Sequence, residues 1–294
     1  MEPRTPSSAN IRPKITFHRN SPHPPTYLSI KLNSYSAVGI DPGEKKRTMP
    51  EQEVEIPTQD GSSDSVLLYP DGEGTGPGIL YFTDIAGIRP TNRESAARVS
   101  KQGYVVLMPN IFYRTGRAPM RPPFRDLDAD ARGKRIAELS GPLTPETMER
   151  DASTYIDFLA SQPRTRKGML AVVGHCFSGK MAMYAAAARA DRVAAVASFH
   201  GGGLYTDAPT SPHLILPRIK AQLYFGHATG DRSMPAEGIT KFEDALKRWG
   251  GKYESETYKD AQHGWTSADS PVFNQIQAER AYGKLLELLQ ETLS

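Results

Sequence analysis

One cysteine, Cys176, is the only thiol in 294 residues, so neither an intramolecular disulfide nor a Cys-rich metal site can form. No apolar run approaches the roughly 20 residues of a transmembrane helix. The N-terminus also lacks the continuous apolar core of a secretory signal. From these two absences we expect a cytoplasmic protein with no membrane association. No His-x-x-x-His pair or Cys pair stands at ligand spacing, which argues against a metal enzyme, and no cofactor is expected. No Gly-x-Gly-x-x-Gly follows an apolar strand. Gly72-Glu-Gly74-Thr-Gly76 instead precedes one and reads as a flexible hairpin loop.

The chain is not strongly charged either. It carries 36 basic and 33 acidic side chains, and the surplus is local: residues 1–50 hold 8 Lys+Arg against 3 Asp+Glu. The remaining body is near neutral, which does not suit a nucleic-acid partner. The same 50 residues hold 8 of the 24 prolines. Such a stretch buries too little apolar surface to offset its ordering entropy, so residues 1–50 are expected to be a mostly disordered basic extension, with Ile30–Leu32 a possible short strand.

Residues 51–294 read as one α/β domain. Val54–Pro57 and Ser65–Tyr69, separated by Gln-Asp-Gly, form a hairpin signal. Apolar strands then alternate with helices. Strands are expected at Gly78–Thr83, Tyr104–Met108, Met169–Val173, Val193–Ser198, Gln222–Gly226 and Tyr253–Tyr258. Helices are expected at Thr91–Gln102, Pro145–Ala160 (capped by Thr144), Gly179–Ala190, Pro235–Trp249 and Val272–Leu293. Uniformly apolar strands between helices predict a mostly parallel sheet covered on both faces, here with an antiparallel start. Ile111–Gly141 shows no period and is expected to pass over the C-terminal edge of the sheet, where ligands bind in this architecture.

The most informative stretch is Met169-Leu-Ala-Val-Val-Gly174-His175-Cys176-Phe177-Ser178-Gly179-Lys180, an apolar strand running directly into a helix of small residues. A sharp strand-to-helix turn needs small neighbours two residues either side of the presented side chain, and Gly174 and Ser178 meet that need. At a helix N-terminus negative charge is favoured, and the thiolate is the reactive form of a cysteine. A nucleophile also needs a base and an orienting acid. Asp231 lies in the loop after strand Gln222–Gly226, and His263 in the loop after strand Tyr253–Tyr258, so both reach the edge that carries Cys176. Asp260 stands too close to His263 to orient it. His200 and His227 also end strands at this edge and are more simply structural. An oxyanion needs two backbone donors: the N–H of Phe177 and one from the loop after strand Gly78–Thr83, for which Ile85 is the choice.

These residues resemble the dienelactone hydrolase family of α/β-hydrolases over roughly residues 53–292. The resemblance rests on Gly174-His-Cys-Phe-Ser-Gly179, Gly230-Asp231, Gln262-His263-Gly264, Thr83-Asp84-Ile85-Ala86-Gly87 and Met108-Pro-Asn-Ile-Phe-Tyr-Arg114. It implies the α/β-hydrolase fold and hydrolysis of a small ester or enol-lactone, of carboxymethylenebutenolidase type. Cys176, Asp231 and His263 would be the triad, acting through a thioester and without a cofactor. It further implies that Asp84 contacts and gates the resting thiol and that Arg114 holds a substrate carboxylate. A second family arginine is absent, since Trp265-Thr-Ser267 stands in its place. Trp265 and Phe112 could supply an apolar wall. The competing reading is a hydrolase fold that binds a ligand or senses oxidants through Cys176 without turnover, although the chain has no resolving thiol.

Overall fold

The computed structural model describes residues 51–294; the expected extension and its possible strand at Ile30–Leu32 lie outside the described residues. Eight strands form one sheet: β1 (Glu51–Thr58), β2 (Gly61–Leu68), β3 (Gly78–Phe82), β4 (Val105–Met108), β5 (Leu170–His175), β6 (Val193–Phe199), β7 (Gln222–Ala228) and β8 (Tyr253–Tyr258). Their order is β1-β2-β4-β3-β5-β6-β7-β8. Strand β2 is antiparallel to both β1 and β4, and every later pairing is parallel. The expected antiparallel start is therefore present.

Six α-helices accompany the sheet: α1 (Pro90–Ser100), α2 (Ala129–Ser140), α3 (Pro145–Ser161), α4 (Gly179–Ala188), α5 (Ala236–Trp249) and α6 (Gln275–Leu293). Alternation along each central strand divides the core. Leu80, Leu107 and Val172 pack with Tyr155 of α3, Met181 of α4 and Phe242 of α5. Ile79, Val106 and Val173 pack with Val99 of α1 and Leu285 of α6. Each central strand thus buries both faces, which explains why it reads as a continuous apolar run.

Two sequence expectations are corrected. Ile111–Gly141, for which no helix is expected because it shows no period, contains α2. Only Leu139 of that helix is buried, so no apolar stripe marks it; the readable signal is its N-cap, Asp128, whose side chain accepts from the Ala131 N–H. The loop of Gly72, Gly74 and Gly76 is not a hairpin, since β3 lies between β4 and β5 and does not pair with β2. Arg164 donates to the carbonyls of Pro70, Gly72 and Gly74. Gly76 pairs with Thr165, and a Cβ there would lie 2.0 Å from the Gly103 carbonyl oxygen.

Candidate active site

Three loops at the C-terminal edge of the parallel strands converge. Cys176 follows β5 directly, with φ +57°, a left-handed conformation that costs a non-glycine residue on the order of 1–3 kcal/mol. Its surroundings hold it there. A Cβ on Gly174 would sit 2.3 Å from the Ser178 carbonyl oxygen, and one on Gly179 would meet Ser198 Oγ at 2.3 Å and Gly201 Cα at 2.8 Å. Ser178 is fully buried, and its hydroxyl accepts from the His175 N–H at 2.9 Å. A hydroxyl at this position therefore ties the turn together from inside, beyond simply being small. Helix α4, carrying Ala182, Ala185 and Ala186 in the core, starts at once behind Cys176.

The loop after β7 places Asp231, and the loop after β8 places His263. His263 Nδ1 lies 2.6 Å from Asp231 Oδ2, and its Nε2 lies 3.0 Å from Cys176 Sγ. Ser233 completes the acid's setting: its N–H and its hydroxyl both donate to Asp231 Oδ1, at 2.8 and 2.7 Å. Burial opposes ionisation of Asp231, but the bonds from His263 and Ser233 hold it below the usual carboxylate range. Burial likewise opposes charging His263, yet Asp231 and Cys176 together push it up to about 10. With Asp231 accepting at Nδ1, the imidazole presents its Nε2 to the sulfur, an arrangement able to hold a thiolate beside an imidazolium. A cavity of about 720 Å³ lies along the Asp231–His263 side, lined among others by Arg232, Ser233, Asp260 and Gln262.

The loop after β3 turns on Asp84: the Ala86 N–H donates to its side chain and the Gly87 N–H to its carbonyl. The intervening Ile85 N–H has no acceptor among the described residues. The Phe177 N–H stands at the open start of the turn 176–178, whose own bond runs from the Gly179 N–H to the Cys176 carbonyl.

Four other expected site residues are paired with protein groups or buried. Asp84 is held by Arg89 through two bonds of 2.7 and 2.8 Å, and Arg89 in turn bonds Asp269. The carboxylate expected to gate the thiol is thus occupied by a guanidinium. Arg114 bonds both oxygens of the buried Asp151 on α3 and also Asp60, so its donors face protein carboxylates and not a substrate. Trp265 is fully buried, stacked on Tyr258 with its edge to His200, and Phe112 lies in the core beside Met120 and Gly87. Each of the last two is buried and gives the site no exposed wall.

The structure also adds residues that were not singled out. Ser233 was signalled by its place two residues after Asp231, the spacing of an Asx turn. Lys180 stands one helical turn after Cys176, with Nζ 4.3 Å from the centre of the Phe177 ring and no carboxylate partner among the described residues. Burial lowers its pKa, and the charge of Cys176 raises it in part. His227, already expected to be structural, places its Nε2 on Ser255 Oγ at 3.1 Å, and burial lowers its pKa to about 4.

Comparison with known proteins agrees with this architecture. Residues 64–293 match the model of the dienelactone hydrolase family. A carboxymethylenebutenolidase of Rhodococcus opacus is 27% identical over 249 residues, covering 84% of this chain and 85% of its own. Among solved structures, a dienelactone hydrolase from Anabaena variabilis superposes with a TM-score of 0.60 at 20% identity, covering 84% of this chain and 99% of its own. A dienelactone hydrolase-like promiscuous phosphotriesterase from metagenomic libraries gives 0.69 at 20% identity with the same coverage. On the family match across most of its length, and on the eight-stranded sheet that carries it, the chain belongs to the dienelactone hydrolase family and has the α/β-hydrolase fold.

Proposed function

We propose that the protein hydrolyses small carboxylic esters or enol-lactones through a thioester on Cys176. The observation that carries this reading is the unbroken chain from Asp231 through His263 to Cys176, with contacts of 2.6 and 3.0 Å, ending on a residue held at φ +57°. Cys176 Sγ, as thiolate, attacks the carbonyl carbon, and the developing oxyanion meets the N–H groups of Phe177 and Ile85. The C–O bond then breaks, and the departing alkoxide or enolate takes the proton from His263 Nε2. In the second half, His263 removes a proton from water, hydroxide adds to the thioester, and the acid leaves as the thiolate is restored. Asp231 keeps the proton on Nδ1 throughout and stabilises the imidazolium. An enolate departs with little acid assistance, which suits a pair whose imidazole is held close to the sulfur.

The substrate follows from the cations. Arg114 already faces Asp151 and Asp60, so we read the favoured substrate as a neutral ester or lactone. Lys180, beside Phe177, and Arg232, which lines the cavity, are the cations left to meet any anionic group. The test is hydrolysis of an anionic dienelactone, a neutral enol-lactone and an aryl acetate by the wild type and by Cys176→Ala. Turnover should fall by at least about 10³-fold in the variant. Undiminished turnover by Cys176→Ala would remove the nucleophile from this account, and a strong preference for the anionic lactone would overturn the assigned substrate class.

A further inference from the structure

His200 takes no step in that reaction, yet its placement is unusual. It follows β6 with φ +41°, one of three non-glycine residues with positive φ among the described residues. Its side chain is buried, its Nε2 bonds Thr266 Oγ1 at 2.8 Å, and its Nδ1 is buried with no hydrogen-bond partner. Its ring centre lies 5.0 Å from that of His263. One ligand atom each from Cys176, His200 and His263 lies within 4.8 Å of the other two. The sequence shows no ligand spacing because each residue comes from a different strand end, and only the fold assembles them.

From this juxtaposition we propose that Cys176, His200 and His263 bind a thiophilic divalent cation of the zinc type, which reversibly blocks the site. A tetrahedral zinc ion sets its nitrogen and sulfur donors about 3.5 Å apart. His263 and Cys176 are already closer than that, at 3.0 Å, and both are partly exposed, so rotation of these two side chains closes the arrangement. Both histidines also carry an oxygen on one ring nitrogen: Asp231 on His263 Nδ1 and Thr266 on His200 Nε2. Such partners fix the ring and leave the other nitrogen for the ion, as is general around bound zinc. The Cys176 thiolate and the Asp231 carboxylate balance the double charge. Coordination uses the lone pairs of Sγ, His263 Nε2 and His200 Nδ1. The one proton that Cys176 and His263 share goes to solvent, and water takes the fourth position. Because the ion occupies the sulfur, it stops any chemistry there; its binding itself does not depend on the ester-hydrolase reading.

The test uses the full chain, Zn2+ alone, and the rate at which iodoacetamide alkylates Cys176, which needs no ester turnover. Zn2+ near one equivalent should slow alkylation of the wild type at least about tenfold. His200→Gln should raise the Zn2+ concentration giving half-protection by at least about tenfold. Equal protection in both proteins, or none in the wild type, overturns the proposal. Should His200→Gln fail to fold, Co2+ added to the wild type decides. A thiolate-to-cobalt charge-transfer band with intense tetrahedral d–d absorption supports the site, and the weak absorption of octahedral cobalt overturns it. An inactive ester panel with intact zinc protection would sink the proposed function and leave this site standing.

Discussion

At Cys176 the backbone adopts a conformation it would not choose, and the residues around it explain how it is kept. Gly174 lets the Ser178 carbonyl come close, Gly179 lets Ser198 and Gly201 approach, and the Ser178 hydroxyl bonds back to the His175 N–H. The need for small residues at 174 and 178 is legible in the sequence; the hydrogen bond made by Ser178 is not, because its partner atom is positioned by the turn itself. Backbone contacts cannot rotate away as side chains do. Gly174→Ala should therefore lower unfolding free energy by roughly 2–4 kcal/mol, seen as a fall in the urea midpoint. A midpoint unchanged within experimental scatter would mean that the turn opens easily and does not hold Cys176 under strain. Arg114 shows the opposite limit of reading residues one at a time. Its place in a motif is visible, but its pairing with Asp151, on a helix distant in sequence, appears only in the fold.

At the scale of elements, the ends of β5, β6 and β7 carry a row of histidines. His175 ends β5 and His227 lies in β7, and burial lowers the pKa of each to about 4; His200 follows β6 and lies well below its ordinary 6.5, through burial and then through the nearness of His263 and His175. His175 faces Tyr81, Phe199 and His200, with the charges of Asp84 and Arg89 nearby, and His227 faces Phe225, Phe242 and Ser255, with Asp231 nearby. Their folded pKa values lie below the unfolded 6.5, so the unfolded chain binds more protons between those limits. Stability is therefore full above pH 6.5 and falls as the pH drops towards 4, by up to about 3 kcal/mol for each of His175 and His227. His263 acts in the other sense. Its folded pKa of about 10 exceeds the unfolded 6.5, so its contribution is full below 6.5 and is lost as the pH rises through 10. Thermal midpoints measured from pH 4 to 10 should decline on both sides of a maximum near neutrality. A flat acid limb down to pH 4 would show that these strand ends admit charge. Strand and helix identities were legible because buried strands are apolar throughout. Helix α2 was not, because it buries one residue and has no stripe to find.

For the whole molecule, the order of Cys176, Asp231 and His263 along the chain became a geometry because parallel strands send all three following loops to one edge. That much follows from the alternation of strands and helices. The placement of β4 between β2 and β3 is not visible in the sequence, since it depends on which crossover packs best, and with it went the expectation of a hairpin at Gly72–Gly76. The convergence of His200 with Cys176 and His263 was hidden for the same reason: it requires β6 to lie between β5 and β7. No described helix is long and apolar enough to cross a membrane. The central claim is that an acyl group passes through the sulfur of Cys176, and intact-protein mass spectrometry after rapid acid quench of an aryl acetate reaction tests it most directly. The account predicts one acetyl group on the wild type, mapped to the peptide containing Cys176 and absent from Cys176→Ala. Turnover of the same ester with no acyl group on that peptide at any quench time, and with Cys176→Ala equally active, would contradict it.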